Sequence, residues 1–586
     1  MTLLRYLILI DRSGPFLMQT ASRLQEVFPF QVTLSEHHCL ILTNVESQAL
    51  QLPGGKGVAI GTVFPRDGAA RRIYGDDRQW KEDLAGPEQL TVLRDRYWGA
   101  FIALLAQTNG LELIRDPGGA MPCYYMATST GWAVASDAET LVSVGLLAPR
   151  IAWAEMPRYL TAKDLPCSRT GIEGLHELLA GTSVKLGAKA CDPTAFWSPW
   201  DYVFEPGAWD GANMAKRLRR TVDHCTASWA STANHILSTL SGGLDSSVVV
   251  ASVARANADQ QCITLVTQDR LGDEREFARA MAVHVGAQLH EPYFDLADAD
   301  LSRSVSRHFP KAIGTIHETA YHAAVVRAAN GIGADAVFTG NGGDSIFYNS
   351  ASLRPLFDVL YEHGPGRQAL RTFGDICEVT RTGWITALRE TVKFLPVVRR
   401  PYAWPRDVSM LTADLAFDIA SRPPTHAWLD SQQRARPGKV GHVAHLLKVQ
   451  NHLEGYLRPF DLPLINPLMS QPVVELALSI PTWRMLEGGR ARAVVRSAYA
   501  YMLPSLVRDR RRKGSPSGFA LEVLTSKEGE VRQRLLDGVL VNRRLVDPKL
   551  VEAAIPNGPK AGRSYVRLLM LLDLEAWISH WQGWGG

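Results

Sequence analysis

The decapeptide LSGGLDSSVV, residues 240 to 249, crowds two glycines, a carboxylate and three hydroxyls into one turn. It follows the β-rich run HILSTL, and helical spacing begins near Asp245. A strand that runs straight into Ser241, Gly242 and Gly243 and then a helix aims several backbone N–H groups at one spot. Outward amides, the helix dipole and two absent side chains together bind an anion, phosphate in particular. Ser241, Ser246 and Ser247 add hydroxyl donors. Asp245 would repel phosphate unless a divalent cation stood between them, so it predicts Mg2+. No Lys follows the glycines and the G-x-G-x-x-G spacing is absent, which excludes a Walker A loop and a dinucleotide fingerprint. A glycine-rich turn that only caps a helix would also use Ser-Gly-Gly, so this string alone leaves both readings open.

DAVFTGNGGDSIFYN, residues 335 to 349, repeats the logic: a short strand, a Gly-rich turn and one carboxylate, Asp344. In a parallel sheet both loops emerge at the carboxyl ends of strands, where ligands bind. Asp245 and Asp344 then hold one Mg2+ against one pyrophosphate.

The elements that must position these loops follow from pattern. To about residue 150, short apolar runs (LRYLILI, HCLILTN, GVAIGTVF, AFIALLAQ, LELIRD, GWAVAS) broken by Gly, Pro and Asn predict a mostly β region. The aperiodic CDPTAFWSPWDYVFEPGAWDG, 191 to 211, reads as a boundary. Beyond it ANMAKRLRRTVDHCTASWA and DEREFARAMAVHVG are helical and HILSTL, QCITLVTQ and ADAVFTG are strands, an alternation that predicts a parallel sheet covered on both faces. From about 350 the chain is mainly helical and Arg-rich.

At 586 residues, roughly 100–200 per domain implies at least two large units. Hydrophobic content of 46% with 21% charge is that of a soluble globular protein, and a net charge of +4 falls short of a dedicated nucleic-acid binder. Seven cysteines without a C-x-x-C pair exclude a disulfide framework and a zinc ribbon. The opening apolar run reads as a strand, not a signal peptide, and Asp573 and Glu575 interrupt the last one, so no membrane segment and a cytoplasmic location are expected.

The first string, read whole, resembles the S-G-G-x-D-S loop of the ATP pyrophosphatases (PP-loop enzymes), which split ATP between its α- and β-phosphates to adenylate a substrate. The second narrows the resemblance to the asparagine synthetase-like branch, whose motif S-G-x-G-x-D-E stands here as Thr339, Gly340, Asn341, Gly342, Gly343, Asp344 and Ser345. The variable position is Glu in asparagine synthetases and Tyr in β-lactam synthetases; here it is Asn341, and the last acid is lost. Similarity continues through 272 to 291 and 463 to 516. The resemblance implies ATP and Mg2+ as cofactors. Leu240, Ser241, Gly242, Gly243, Asp245, Ser246, Ser247, Thr267, Thr339 and Gly340 would surround the nucleotide, and Asp245 and Asp344 the metal. Lys513 matches the family lysine that contacts the α-phosphate, although composition alone reads the run Arg508 to Lys513 as a solvated face. Asn341 marks the changed proton-handling position, with His452 and Glu454 the nearest candidates for substitute bases, although each reads more readily as a residue that caps or lines a helix.

Residues 97 to 141 resemble the glutamine amidotransferase domain of asparagine synthetases, with Arg115, Asp116, Gly119, Pro122 and Tyr124 or Tyr125 in its R-D-x-x-G-x-x-P-x-Y pattern. That domain uses an N-terminal Cys exposed by removal of Met1; this sequence has Thr2 and no N-G-E segment. The implied fold is α/β: a degenerate class II glutamine amidotransferase-like (Ntn αββα) domain over 1–205 and a PP-loop parallel-sheet synthetase domain with helical elaboration over 206–586. A glutaminase without its nucleophile implies an amine supplied by the substrate. The G-N-G-G-D string, the missing Cys and P-L-x-S-Q-P at 467 to 472 resemble the lasso peptide macrolactam synthetases (lasso cyclases) more closely than β-lactam synthetases. Partners implied are a lasso precursor core peptide, a leader-cleaving protease and a leader-binding element, without nucleic acid or membrane. A small-ring β-lactam synthetase, a PP-loop enzyme that modifies tRNA and a non-catalytic peptide-binding scaffold remain the rival readings.

Overall fold

The computed structural model describes residues 3–11, 24–26, 30–36, 38–45, 48–107, 110–187, 192–203, 211–268, 272–398, 400–430, 436–453, 455–510, 514, 517–555 and 564–584. Among the described residues the first region holds twelve strands, many of them on the short apolar runs: β1 (Tyr6–Asp11), β2 (Gln31–Glu36), β3 (Cys39–Thr43), β4 (Ala49–Gln51), β5 (Gly57–Pro65), β6 (Tyr97–Gln107), β7 (Gly110–Arg115), β8 (Tyr124–Ala127), β9 (Gly131–Ala135), β10 (His176–Glu177), β11 (Thr182–Leu186) and β12 (Thr194–Ala195). They pair antiparallel in two sheets, β10-β8-β9-β1-β3-β2 and β12-β11-β7-β6-β5-β4.

Alternation along β1 assigns the layers. Tyr6, Ile8 and Ile10 point between the sheets onto Val58, Ile60, Ile102 and Leu104. Leu7 and Leu9 point the other way, with Leu40 and Leu42, onto Leu141, Tyr159 and Trp577. Across the second sheet Ala59, Val63 and Phe101 meet Trp80, Leu84 and Leu93, carried by the helices Arg78–Asp83 and Gln89–Arg96 and their ends. The order is helix, sheet, sheet, helix, as expected. The last helix, Ser564–Gly583, belongs to the outer layer of this sandwich although it ends the chain. Its Asp573 and Glu575 are buried and cap other turns: Asp573 accepts from Val305 N at 2.9 Å and Ser304 Oγ at 3.0 Å, and Glu575 from Val539 N and Leu540 N. Among the described residues no helix is long and apolar enough to cross a membrane.

The described part of the stretch read as a boundary, residues 192–203, is a packed seam. Trp197 lies against Trp428, ring centroids 5.5 Å apart, and donates to Glu475 at 2.9 Å; Arg66 reaches the same carboxylate from the sandwich at 2.5 and 2.9 Å.

Beyond the helix Gly211–Ala230, five strands pair in parallel: β13 (Ile236–Thr239), β14 (Gln260–Ile263), β15 (Leu289–His290), β16 (Ala336–Phe338) and β17 (Leu464–Ile465), in the order β15-β14-β13-β16-β17. Leu237, Ile263 and Val337 fill one face and Ile236, Cys262, Ala336 and Phe338 the other, so both faces are covered and the strands read as continuous apolar runs. From β13 the chain steps outward to β14 and β15, then returns to β16 on the opposite side. Strand order reverses between β13 and β16, and the crevice outside their carboxyl ends is the place such a sheet offers a ligand.

The helices Arg354–His363, Arg367–Thr380 and Trp384–Val398 build a satellite core around Leu356, Val359, Phe373 and Ile376. The third buries only Ala387, and leaves Trp384, Ile385, Leu388, Val392 and Leu395 exposed along one stripe.

Candidate active site

The loop after β13 is shaped by its neighbours as much as by a ligand. Leu240 is buried and its N–H is already committed to Ile263 O at 2.8 Å. Gly242 has φ +62°, and a Cβ there would sit 2.3 Å from Phe277 Cβ, so this glycine makes room for the helix Arg275–Val285, a packing role the phosphate reading did not foresee. Gly243 caps the helix Leu244–Arg255, with its N–H bonded to Ser241 Oγ at 3.3 Å. Ser246 Oγ bonds Gly243 O at 3.2 Å and lies 3.3 Å from Ser241 Oγ. Ser247 Oγ is fully buried and has no partner among the described residues, the mark of a hydroxyl kept for something else.

The loop after β16 lies directly on the first. A Cβ on Gly340 would meet Ser246 N at 2.4 Å, and one on Gly343 would meet Asp245 Cγ at 2.3 Å. Thr339 Oγ1 donates to Asn466 Oδ1 at 2.6 Å, past the end of β17, and receives Asn341 N at 3.0 Å. Asn341 itself is exposed at the apex. Thr267 is buried just past Val266, which bridges to Tyr293 beyond β14.

This contact brings the two carboxylates together. Arg492 Nη1 donates to Asp245 Oδ2 at 2.6 Å and to Asp344 Oδ1 at 2.7 Å, and Asn349 Nδ2 steadies Asp344 Oδ1 at 2.8 Å. One point therefore lies within hydrogen-bonding reach of an oxygen from each loop. Two hard carboxylate oxygens converging at a helix N-terminus fit Mg2+ and a phosphate.

With that geometry in hand, the family model described as asparagine synthase matches residues 217–582. The chain belongs to the asparagine synthase family. No curated protein matches it. A solved structure titled as the allosteric regulatory enzyme of purine biosynthesis is similar at 12% identity over 50% of this chain and 74% of that chain, with a TM-score of 0.19. The family is one of ATP-dependent, amide-forming carbon–nitrogen ligases that use Mg2+.

Lys513 lies outside the described residues, as do Glu454 and Thr2. Its flanks are described, and both are tied to Glu274: Arg510 Nη2 donates to Glu274 Oε1 at 2.6 Å and Gly514 N to the same oxygen at 3.0 Å. Arg510 Nη1 also donates to Ser241 O at 3.1 Å, and its guanidinium lies 3.8 Å from the Phe277 ring centroid. Arg496 holds the carbonyls of Arg508 and Arg510 from behind. The solvated-face reading of this run therefore fails for Arg510, whose side chain is 8% exposed. Sequence reasoning missed Arg492, Glu274 and Arg510, because nothing distinguishes them by type or spacing in an Arg-rich region; the similarity through 272 to 291, which spans Glu274, was the one available signal.

His452 is held between Asp164 Oδ1, 3.1 Å from Nε2, and the Tyr456 hydroxyl at Nδ1, and Tyr456 stacks on His322. Burial works to raise the Asp164 carboxyl, but the His452 hydrogen bond and charge, with Lys163 and Lys448, outweigh it and lower the group to about 2. No hydrogen bond among the described residues links the His452 side chain to either Gly-rich loop. A further acid that sequence did not single out, Glu318, opens the helix Glu318–Ile332. Tyr321, one turn on, reaches Thr239 at the end of β13. Burial raises Glu318 to about 7 against the pull of Lys163, and Asp573 and Asp164 raise it further.

The R-D-x-x-G motif of the sandwich is spent on internal bonds. Arg115 donates to Glu177 Oε1 at 2.9 Å and to the carbonyls of Leu178 and Gly119 at 2.8 Å. Asp116 accepts from Phe101 N and Gly119 N, and burial nevertheless pushes it up to about 7. Lys311 shares Glu177 at 3.0 Å and donates to Asn451, so the motif joins the sandwich to the segment that carries His452.

Proposed function

We propose that this family member is an ATP-dependent lasso peptide cyclase. An Asp or Glu side-chain carboxylate of a precursor core peptide attacks the α-phosphorus of ATP, and the bond to pyrophosphate breaks. The N-terminal amine of the same peptide then attacks the acyl carbon, AMP leaves with the bonding electrons, and the amine proton passes to a base. The backbone amides and hydroxyls of Ser241 to Ser247 hold phosphate. Asp245 and Asp344 would hold Mg2+, which would offset the charge of the pyrophosphate. Lys513, which in sequence lies between the Glu274 partners Arg510 and Gly514, offsets charge at the α-phosphate. Glu318, one turn before the Tyr321 that meets Thr239 at the end of β13 and with a carboxyl raised to about 7, is the group assigned here to take the amine proton. Exposed apolar side chains on Trp384–Val398 offer a peptide a surface to lie on.

The observation that carries this reading is the convergence of Asp245 and Asp344 at one point, in a chain whose R-D-x-x-G motif is engaged inward. The purified protein with ATP and a synthetic core peptide, with a free N-terminus and an acid seven to nine positions in, tests it. Mass spectrometry is expected to show loss of one water with one AMP and one pyrophosphate per ring; turnover only with added ammonia or glutamine overturns it.

A further inference from the structure

A cation already sits where the metal is expected, and it belongs to the chain. Arg492 Nη1 bonds both metal-binding carboxylates, and its side chain is only 14% exposed. The segment that delivers it is unusual in backbone: Gly488, Gly489 and Arg492 all have positive φ (+71°, +66° and +59°), three within five residues. Gly489 N is pinned to Asp375 and Arg490 to Asp509, so the segment is anchored on both sides of a short turn that ends in Arg492 as the cap of the helix Ala493–Ala498. Arginine in the left-handed region is strained, and such positions persist where the surroundings hold them.

We propose that Arg492 is a resident competitor for the divalent-cation site: it neutralises Asp245 and Asp344 while the nucleotide is away, and yields to Mg2+ only when the phosphates of ATP arrive to receive its guanidinium. This rests on the reading of Asp245 and Asp344 as metal ligands. The chemistry is an exchange of partners. Two carboxylates give up one guanidinium and gain a divalent ion, and the guanidinium, a planar fork of donors, finds in a phosphate an acceptor as well matched as the one it left. Neither exchange is favourable alone. A free divalent ion would have to expel a partly buried cation into a neighbourhood that already holds Arg490 and Arg496, and burial, with the charges of Arg492 and Arg490, already lowers the Arg496 guanidinium to about 10. Metal and nucleotide binding are thereby coupled, each removing the cost of the other.

The test measures free Mn2+ by electron paramagnetic resonance during titration of the full-length protein with Mn2+ alone, then with Mn2+ and ATP. Arg492→Gln is expected to bind Mn2+ alone at least about tenfold more tightly than the wild type, and to lose most of the tightening that ATP produces in the wild type. Equal or weaker binding of Mn2+ alone by Arg492→Gln, with normal binding in the presence of ATP, overturns the proposal. Asp245→Asn separates the two layers: if it too retains full Mn2+ binding with ATP, the metal-site reading fails and the proposal falls with it. Thermal unfolding gives a second readout. Arg492→Gln is expected to lose midpoint in EDTA and regain it with Mn2+, whereas the wild type changes little; equal metal dependence in both proteins counts against the competitor role.

Discussion

Replacing Glu274 probes how the described flanks of Lys513, the lysine proposed to contact phosphate, are held. One oxygen, Oε1, receives both Arg510 Nη2 at 2.6 Å and Gly514 N at 3.0 Å, and the two side chains of the pair are 8% and 14% exposed. Glu274→Ala strands Arg510 between Phe277 and the Ser241 carbonyl, and breaking such a pair costs about 3–5 kcal/mol. Spent on docking one loop, that is a fall of roughly a hundredfold or more in the docked population, since about 1.4 kcal/mol is a factor of ten. Glu274→Gln keeps the acceptor and removes the charge, so the loss is the difference between a charged and a neutral hydrogen bond, about 1–2 kcal/mol or roughly 5- to 30-fold. The assay is pyrophosphate release under kcat/KM conditions for ATP, with the melting temperature measured alongside. The predicted order is wild type, then Gln, then Ala, with at most a few degrees lost in melting. In a Lys513→Ala background Glu274→Ala should add less than about threefold, because it acts through that loop. Full activity of Glu274→Ala, or complete multiplicativity with Lys513→Ala, refutes the reasoning.

Gly343→Ala should drive Asp245 from its place, since the new methyl falls 2.3 Å from Asp245 Cγ; a loss of about a hundredfold in ATP-dependent turnover is expected, with weakened Mn2+ binding as the direct readout. The rate of amide formation should rise with pH through about 7 if Glu318 must be ionised to take the proton, and Glu318→Gln should be slow and flat over that range. The same group carries a stability sign. Its folded carboxyl at about 7 stands above the ordinary 4.5, so the folded state keeps a proton that the unfolded chain has released, and stability falls as pH rises from about 4.5 to 7; urea unfolding of Glu318→Gln should lose less over that window, by up to about 3 kcal/mol. Glu475→Ala leaves Arg66, Trp197 and Gln471 without their shared acceptor at the seam between sandwich and synthetase, and about 3–5 kcal/mol of stability should be lost in urea titration.

The fold was legible because its signals are local. β1, β3, β5, β6, β7 and β9 each coincide with an apolar run bounded by turn residues, and the strand-loop-helix order around Ser241 placed the first loop at a carboxyl edge. The convergence of Asp245 and Asp344 was legible in the repeat of one pattern a hundred residues apart. What sequence did not give was the reason for the glycines, which depends on contacts between distant segments: Gly242 yields to Phe277, and Gly340 and Gly343 to the turn at Asp245 and Ser246. Arg492 and Arg510 were hidden for the same reason, since an arginine's partners across the fold leave no trace in its neighbours. Charge density suggested a solvated face where Glu274 draws Arg510 inward, and a short-range view of His452 could not reveal that Asp164 and Tyr456 already occupy both its nitrogens.

The most direct measurement of the central claim uses a core peptide whose acceptor carboxylate carries 18O in both oxygens. Attack of that carboxylate on the α-phosphorus, followed by attack of the peptide's own amine, predicts one 18O in the released AMP and one in the new amide, with no added nitrogen. Unlabelled AMP, label in inorganic phosphate beside ADP, or a product that contains nitrogen from ammonia or glutamine would contradict the account.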